Sequence, residues 1–218
     1  MRWNLFADVP SEELESVLSI ARRRTFARGE VVFHEGDPAD SFHLITRGRF
    51  AARLRTRLGD TALLSILGTG EAFGELALVG EPHPRSTTVT ALEAAETRAV
   101  YGKDFARLRR EHAGIDGVLV SLLAEQVRRL SQRVVEAYYV DAEARVRLRL
   151  LDLATTYGGD DPAAPVTLPL TQEEIAGLAG TSRATVNRVL RQEEERGTVS
   201  LGRGRTVLLD IAALARRR

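Results

Sequence analysis

The stretch Gly70-Glu71-Ala72-Phe73-Gly74-Glu75-Leu76-Ala77-Leu78, followed by Arg85-Ser86-Thr87-Thr88-Val89, places one carboxylate, Glu75, and one guanidinium, Arg85, ten residues apart. A short helical turn and a loop carrying Pro82 and Pro84 join them. A ligand with a sugar hydroxyl and a single phosphate charge needs such a pair. The carboxylate accepts from the hydroxyl, and the arginine fork, with backbone N–H groups at a helix start, holds the phosphate. Gly74 lets the backbone approach the sugar where a Cβ would intrude. Gly74, Glu75, Leu76, Arg85, Ser86 and Thr87 are therefore the candidate ligand-binding residues. The plainer alternative is a glycine-bounded turn with a surface ion pair, and a second, independent signature downstream weighs against it.

That signature is Leu170-Thr171-Gln172-Glu173-Glu174-Ile175-Ala176-Gly177-Leu178-Ala179-Gly180-Thr181-Ser182-Arg183-Ala184-Thr185-Val186-Asn187-Arg188-Val189-Leu190. Thr171 and Glu174 read as a capping box opening a helix whose apolar face is Ile175, Leu178 and Ala179. Gly180 suits the turn that follows, and Thr181 or Ser182 caps the next helix. Val186, Val189 and Leu190 bury one side of that helix. The other side offers Arg183, Ala184, Asn187, Arg188 and Arg191, with no acid between residues 182 and 191. This is the pattern of a helix-turn-helix with a basic second helix. Taken alone, the segment also fits an ordinary helical hairpin; downstream of the first signature that alternative loses ground.

The rest of the chain is organised around these two motifs. Pro10-Ser11-Glu12-Glu13-Leu14 reads as a helix start with Leu14, Val17 and Leu18 on one face. Short apolar pieces at residues 31–33, 42–45, 50–54 and 61–66 alternate with Gly29, Gly36-Asp37-Pro38, Gly48, Gly59-Asp60 and Gly68-Thr69-Gly70, and strands resume over 86–100. Such spacing predicts a β-roll or barrel whose mouth holds one small ligand. Residues 118–140 read as one helix about 35 Å long. On it Leu119, Leu123, Gln126, Leu130, Val134 and Ala137 lie near the 3-4 spacing of a coiled-coil seam, so pairing with a second copy is expected. Asp141 opens a further helix with Val146, Leu148, Leu150, Leu151 and Leu153 as core, ended by residues 157–162. Beyond the helix-turn-helix, 198–201 and 206–209 flank Gly202-Arg203-Gly204-Arg205, a winged hairpin whose Arg203 and Arg205 reach phosphate. A short helix and a solvated Arg216-Arg217-Arg218 tail follow. The expected fold is α+β: an N-terminal β-barrel domain over 1–115, a dimerisation helix over 116–140 and a C-terminal winged helix-turn-helix domain over 141–218.

Composition narrows the function classes. With 218 residues there is material for two small domains, and the formal net charge of +1 supplies no global basic field. Affinity for nucleic acid then has to come from local patches and from pairing. Cysteine is absent, which excludes disulfides, cysteine-ligated iron–sulfur clusters and thiol redox sensing. No apolar run has membrane-spanning length and MRWNLFADVPSEEL has no signal-peptide core, so a soluble, cytoplasmic protein without a membrane partner is expected.

Together and in this order, the two signatures resemble the cyclic-AMP receptor protein (CRP/FNR) family of transcription regulators, over nearly the whole chain. The resemblance implies a cyclic nucleotide in the barrel, cyclic AMP first, with Glu75 on its ribose and Arg85 with Ser86 on its phosphate. It implies a contact to the base from the long helix of a second subunit, at Leu130 and Ser131. Ser131 keeps a hydroxyl that can meet the adenine amino group. Leu130 cannot hydrogen-bond, so cyclic GMP, another cyclic nucleotide or a weaker response stays open. Arg183 and Arg188 match the family's base-reading arginines, each able to fork onto guanine O6 and N7. Where the family carries an acid between them, Ala184 offers only a methyl group. The implied operator is palindromic, related to a TGTGA-type half-site and altered at one base pair. Thr171, Ser182 and Thr185 are placed for phosphate, with Asn187 on the same basic face. Ligand binding is implied to rearrange the long helices and so reposition the recognition helices. The nucleotide would be an allosteric ligand rather than a resident cofactor; no metal is implied, and RNA polymerase is a candidate partner.

Three rival readings compete with this one. A haem sensor on the same scaffold needs an axial ligand, for which only His34, His43, His83 and His112 are available, and the Glu75–Arg85 pair favours a nucleotide. A barrel enzyme needs clustered ligands or a Ser-His-Asp set, and the sequence has neither pattern, so no catalysis is expected. The third rival keeps the regulator and removes the effector: a ligand-independent or differently liganded member with a degenerate pocket, to which Leu130 gives weight.

Overall fold

The computed structural model describes residues 10–55, 61–79, 83–112, 114–159, 161 and 164–216. The readings above that fall on residues 1–9, the Gly59-Asp60 turn, Pro82, Asp160, Pro162 and Arg217-Arg218 lie outside them. Two compact units are formed, Met1–Leu54 with Leu67–Ser131, and Arg55–Ile66 with Gln132–Arg218.

The first unit opens with α1 (Ser11–Ser19) and continues through β1 (Arg22–Phe26), β2 (Val31–Phe33), β3 (Ser41–Arg47) and β4 (Phe50–Arg55). After β5 (Thr61–Leu67) come β6 (Ala72–Phe73), a single 3-10 turn (Glu75–Leu78), β7 (Thr88–Ala91), β8 (Ala95–Tyr101) and α2 (Gly102–Glu111). One sheet has the order β1-β8-β3-β6 and the other β2-β7-β4-β5. Strand β3 is buried on both faces. Its Phe42 and Leu44 join Val17, Val100, Phe105, Leu108 and the start of the long helix. Its Ile45 joins Phe26, Phe50, Phe73, Val89 and Ala91 between the sheets. Strand β1 has no apolar alternation because Arg22, Arg23 and Arg24 face solvent on a sheet edge. They are held by partners from elsewhere in the chain, Asp104, Glu96 and Tyr101. That is why this strand, unlike β2 to β5, gives no signal in the sequence. The strands expected over 86–100 are β7 and β8, parted by a bend at residues 92–94.

The helix α3 spans Ile115–Tyr139. It starts before residue 118 because Ile115 is wholly buried and anchors the first turn. The second unit contains α4 (Ala142–Tyr157), β9 (Val166–Leu168), α5 (Gln172–Ala179), α6 (Arg183–Glu195), β10 (Val199–Gly202), β11 (Arg205–Leu208) and α7 (Ile211–Ala215). Asp141 caps α4, its carboxylate accepting from the backbone N–H groups of Glu143 and Ala144. In α4 the buried positions are Val146, Arg149, Leu150, Leu153 and Ala154, whereas Leu148 and Leu151 are half-buried. Arg149 can go inside because Glu136 and Asp152 take its guanidinium. The wing is a three-stranded sheet of order β10-β11-β9. Strand β9 has only Val166 and Leu168 buried, too short a pattern to read in advance.

Within this unit the backbone of Leu63 lies against Gly177 of α5, where a Cβ would come within 3.1 Å of the Leu63 carbonyl oxygen. Arg133 also donates to the Leu64 carbonyl at 3.0 Å. Among the described residues no helix is long and apolar enough to cross a membrane.

Candidate functional site

The loop before β7 carries Arg85 into the first unit. Its backbone N–H donates to the Asp37 carbonyl at 2.7 Å, and its own carbonyl accepts from Gly36 at 2.9 Å. Arg85 is 5% exposed, an uncommon state for a guanidinium. Its Nη2 donates to Asp40 Oδ1 at 3.1 Å and to Ser41 Oγ at 3.0 Å. Its Cζ lies 3.9 Å from the centre of the Phe33 ring, a cation–π contact. Its Nε and Nη1 are buried without a partner. Burial pulls its pKa down from the ordinary value, while the carboxylates of Asp40, Asp37 and Glu75 pull the other way. Glu75 therefore lies within electrostatic reach of Arg85.

Gly74, with φ 83° and ψ 24°, turns the chain from β6 into the 3-10 turn that presents Glu75 and Leu76. A Cβ there would sit 2.7 Å from Arg85 Nη1 and 2.8 Å from the Ser41 carbonyl oxygen. Within the chain itself, then, the glycine makes room for the arginine. Leu76 is 42% exposed. Ser86 is exposed and Thr87 half-buried in the bend that precedes β7. A phosphate monoanion beside a hydroxyl fits these residues: Arg85 holds two unsatisfied buried nitrogens, and Glu75 supplies a nearby acceptor.

Around Arg85 lie groups that the motif reading does not name. Phe33, Asp40 and Ser41 touch it directly. Beneath them His43 is 2% exposed, with Nε2 at 3.1 Å from Ser41 Oγ and Nδ1 at 3.0 Å from Thr97 Oγ1. Its ring stacks on Phe73, with centres 5.0 Å apart. Burial first, then the field of Arg85, pushes its pKa down to about 3. The signal that could have found it is polarity in a strand buried on both faces: Ser41 and His43 alternate with Phe42 and Leu44. His34, His83 and His112 are all exposed.

In the second unit α5 and α6 form the helix-turn-helix. The capping box is complete, Thr171 and Glu174 each satisfying the other's backbone N–H. Gly180 closes α5 with φ 58°, and of the two candidates Ser182 caps α6. Val186, Val189 and Leu190 are fully buried, leaving Arg183, Ala184, Asn187, Arg188 and Arg191 exposed on one face. Thr185 shares its hydroxyl with Ser182 at 3.0 Å, and Asn187 Nδ2 donates to Gln172 Oε1 at 3.1 Å. Arg188 Nε donates to Glu143 at 2.9 Å. Arg203 lies in the hairpin turn and Arg205 at the start of β11, both exposed.

Three arginines and a glutamate that the sequence leaves inconspicuous hold this reader together. Arg145 donates to the carbonyls of Val140, Ala179 and Gly180, tying off the ends of α3 and α5. Glu193 of α6 is fully buried between Arg147, Arg196 and the Thr198 hydroxyl. Burial pulls its pKa up, yet Thr198 and Arg147 together hold it below the usual carboxylate range.

The long helix corrects one expectation. Ile115, Val118, Leu119 and Leu122 face inward, so Leu119 belongs to the chain's own core and Gln126 is half-buried. The outward stripe is Val120, Val127, Leu130 and Val134, 65%, 61%, 54% and 54% exposed, with half-buried Leu123 after Val120 and exposed Ala137 after Val134. That set keeps a strict 3-4 alternation, which the expected seam does not. Ser131 is exposed beside Leu130.

Residues 23–112 match the family model of the cyclic nucleotide-binding domain, and residues 144–217 that of the Crp-like helix-turn-helix domain. The CRP-like cAMP-activated global transcriptional regulator of Mycobacterium tuberculosis is 35% identical over 221 residues, covering 99% of this chain and 96% of its own. The cyclic AMP receptor protein of Thermus thermophilus is 33% identical, covering 96% of this chain and 94% of its own. Among solved structures, the c-di-GMP responsive global regulator CLP of Xanthomonas campestris shares the fold, with a TM-score of 0.70 at 22% identity over 91% of this chain and 99% of its own. A sensor model, a reader model and relatives matched along almost the whole length lead to one conclusion: the chain belongs to the CRP/FNR family of transcription regulators, with a cyclic nucleotide-binding domain followed by a Crp-like helix-turn-helix domain.

Proposed function

We propose that the protein is a homodimeric regulator whose operator binding is controlled by a cyclic nucleotide, cyclic AMP first. The observation that carries this reading is Arg85, buried beside Gly74 and Glu75 with two nitrogens left without a partner. Glu75 takes the ribose hydroxyl, Arg85 and Ser86 take the phosphate, and Gly74, Leu76 and Thr87 complete the wall. Leu130 and Ser131 of a second copy close over the base. Residues 1–115 sense, 116–140 pair, and 141–218 read a palindromic operator. Arg183 and Arg188 touch base edges, beside Ala184 and Asn187. Thr171, Ser182, Thr185, Arg203 and Arg205 hold phosphates. The protein acts in the cytoplasm, with RNA polymerase as a further partner.

Calorimetric titration of the purified protein with cyclic AMP and, separately, cyclic GMP tests the sensor. Micromolar binding is expected, lost in Arg85→Leu and in Glu75→Ala. Leu130, which brings an apolar side chain to the base-reading position, favours a second reading: a regulator that acts without a cyclic nucleotide. Operator binding with no heat from either nucleotide would establish that reading and sink the first.

A further inference from the structure

We propose that His43 is a positioning residue for the ligand-binding arginine, fixing the Arg85 guanidinium through the hydroxyl of Ser41. The proposal rests on the reading of Arg85 as the phosphate-binding group, and it adds how that group is held in place.

Counting donors and acceptors assigns every proton in the chain of contacts. Ser41 Oγ lies 2.8 Å from Asp40 Oδ1, 3.0 Å from Arg85 Nη2 and 3.1 Å from His43 Nε2. A serine hydroxyl has one proton and two lone pairs. The Asp40 carboxylate can only accept, so it takes the hydroxyl proton. Arg85 Nη2 can only donate, so it fills one lone pair. The remaining lone pair requires a donor, and His43 must therefore carry its proton on Nε2. Its Nδ1 is then bare and accepts from the Thr97 hydroxyl at 3.0 Å. Thr97 is wholly buried, as are both faces of the imidazole's strand, so water does not compete for these bonds.

The geometry gives this relay something to hold. Arg85 has a fixed main chain and the Phe33 ring against its guanidinium, but only Nη2 is tied by hydrogen bonds. Of the two acceptors, the Asp40 side chain is 69% exposed, so water can replace the bonds it makes here. Ser41 is 6% exposed and its hydroxyl is set from below by His43. Stacking on Phe73 in turn fixes the imidazole plane. Neutral histidine is required for Nδ1 to accept, and burial keeps the ring neutral. When an anion reaches Arg85 and repels Asp40, the Ser41 proton is already aimed outward, toward the space Asp40 leaves. Arg85 is thereby pre-ordered for the phosphate, and less freedom is lost on binding.

Two measurements on the full chain test the proposal. In protein labelled with 15N at histidine and arginine, without nucleotide, NMR should show His43 as the Nε2–H tautomer. It should also show ordered Arg85 guanidinium signals that broaden in His43→Phe and persist in His43→Gln, which keeps a donor at the same reach. An Nδ1–H tautomer, or Arg85 signals unchanged in His43→Phe, would overturn it. In calorimetry with cyclic AMP, His43→Phe should bind about tenfold more weakly, the size of one hydrogen bond to a charged network, while His43→Gln stays within a few-fold of the parent. The phenylalanine preserves the stack on Phe73 but strips the buried Thr97 hydroxyl of its acceptor, so a lower unfolding temperature is expected; titrating well below it, where the variant is folded, separates the affinity loss from general destabilisation. Equal affinity in His43→Phe and the parent would refute the relay. If the parent binds no cyclic nucleotide, the reading of the pocket fails, and the NMR measurements still decide whether His43 positions Arg85.

Discussion

Arg85 and Gly74 form one device at the scale of single residues. A buried guanidinium with unsatisfied donors is costly unless a ligand completes it, and Gly74 leaves the space in which Nη1 lies. Gly74→Ala forces a side chain onto a positive φ and within 2.7 Å of Arg85 Nη1. Calorimetry should register at least a tenfold loss of cyclic nucleotide affinity, given strain of about 1 kcal/mol or more before any clash. An alanine variant that binds normally would show that the crowding relaxes freely. His43 makes a different prediction. Its pKa falls from 6.5 to about 3 on folding, so between those values the unfolded chain binds a proton that the folded chain does not. Stability is therefore unaffected above about pH 6.5 and falls as the pH is lowered toward 3, with the histidine contributing about 2 kcal/mol of loss at pH 5. Urea unfolding at pH 7 and pH 5 should show this loss in the parent and a smaller one in His43→Phe. Identical acid sensitivity in the two proteins would place the effect on other groups.

At the scale of elements, α3 carries two different apolar stripes. The inward one, Ile115, Val118, Leu119 and Leu122, holds the helix to its own unit. The outward one, through Val127, Leu130 and Val134, stays more than half exposed. If the proposed dimer pairs along this stripe, Val127→Glu should raise its dissociation constant roughly a hundredfold, because each protomer would bury an unpaired carboxylate there. Its unfolding midpoint as a monomer should stay unchanged. Leu119→Glu should instead destabilise the chain itself. Sedimentation velocity with thermal unfolding separates the two, and a Val127→Glu protein that stays dimeric would remove α3 from the interface. Both stripes are apolar at nearly the same spacing, so the sequence shows that the helix is amphipathic without saying which residues face which partner. The helix-turn-helix was more legible. Its caps and turn are local devices, settled by residues three or four apart, and Thr171, Glu174, Gly180 and Ser182 act where their types predict.

For the whole molecule, the proposed control of the reader by the sensor carries a linkage condition. If a cyclic nucleotide raises operator affinity by some factor, bound operator must raise nucleotide affinity by the same factor. Titrating cyclic AMP with and without saturating operator DNA should therefore shift its affinity by the factor by which cyclic AMP shifts operator affinity in a separate binding assay. Nucleotide binding that ignores the operator would leave a pocket uncoupled from the reader. The order of sensor, long helix and reader was present in the sequence, because period, capping and motif chemistry are properties of neighbouring residues. Glu75 and Arg85, ten residues apart, were legible as candidates, whereas the ion pair that Arg85 makes in the fold is with Asp40, 45 residues away. What the tertiary structure alone decided lies in contacts between segments far apart in the chain. Arg85 meets Ser41 across 44 residues, His43 meets Thr97 across 54 and Arg147 meets Glu193 across 46. β1 carries three solvent-facing arginines on a sheet edge, a place set only by its pairing with β8. Each of those residues is an ordinary polar side chain in sequence. Burial makes its partner obligatory, and burial is a property of the packed fold, which no local pattern encodes.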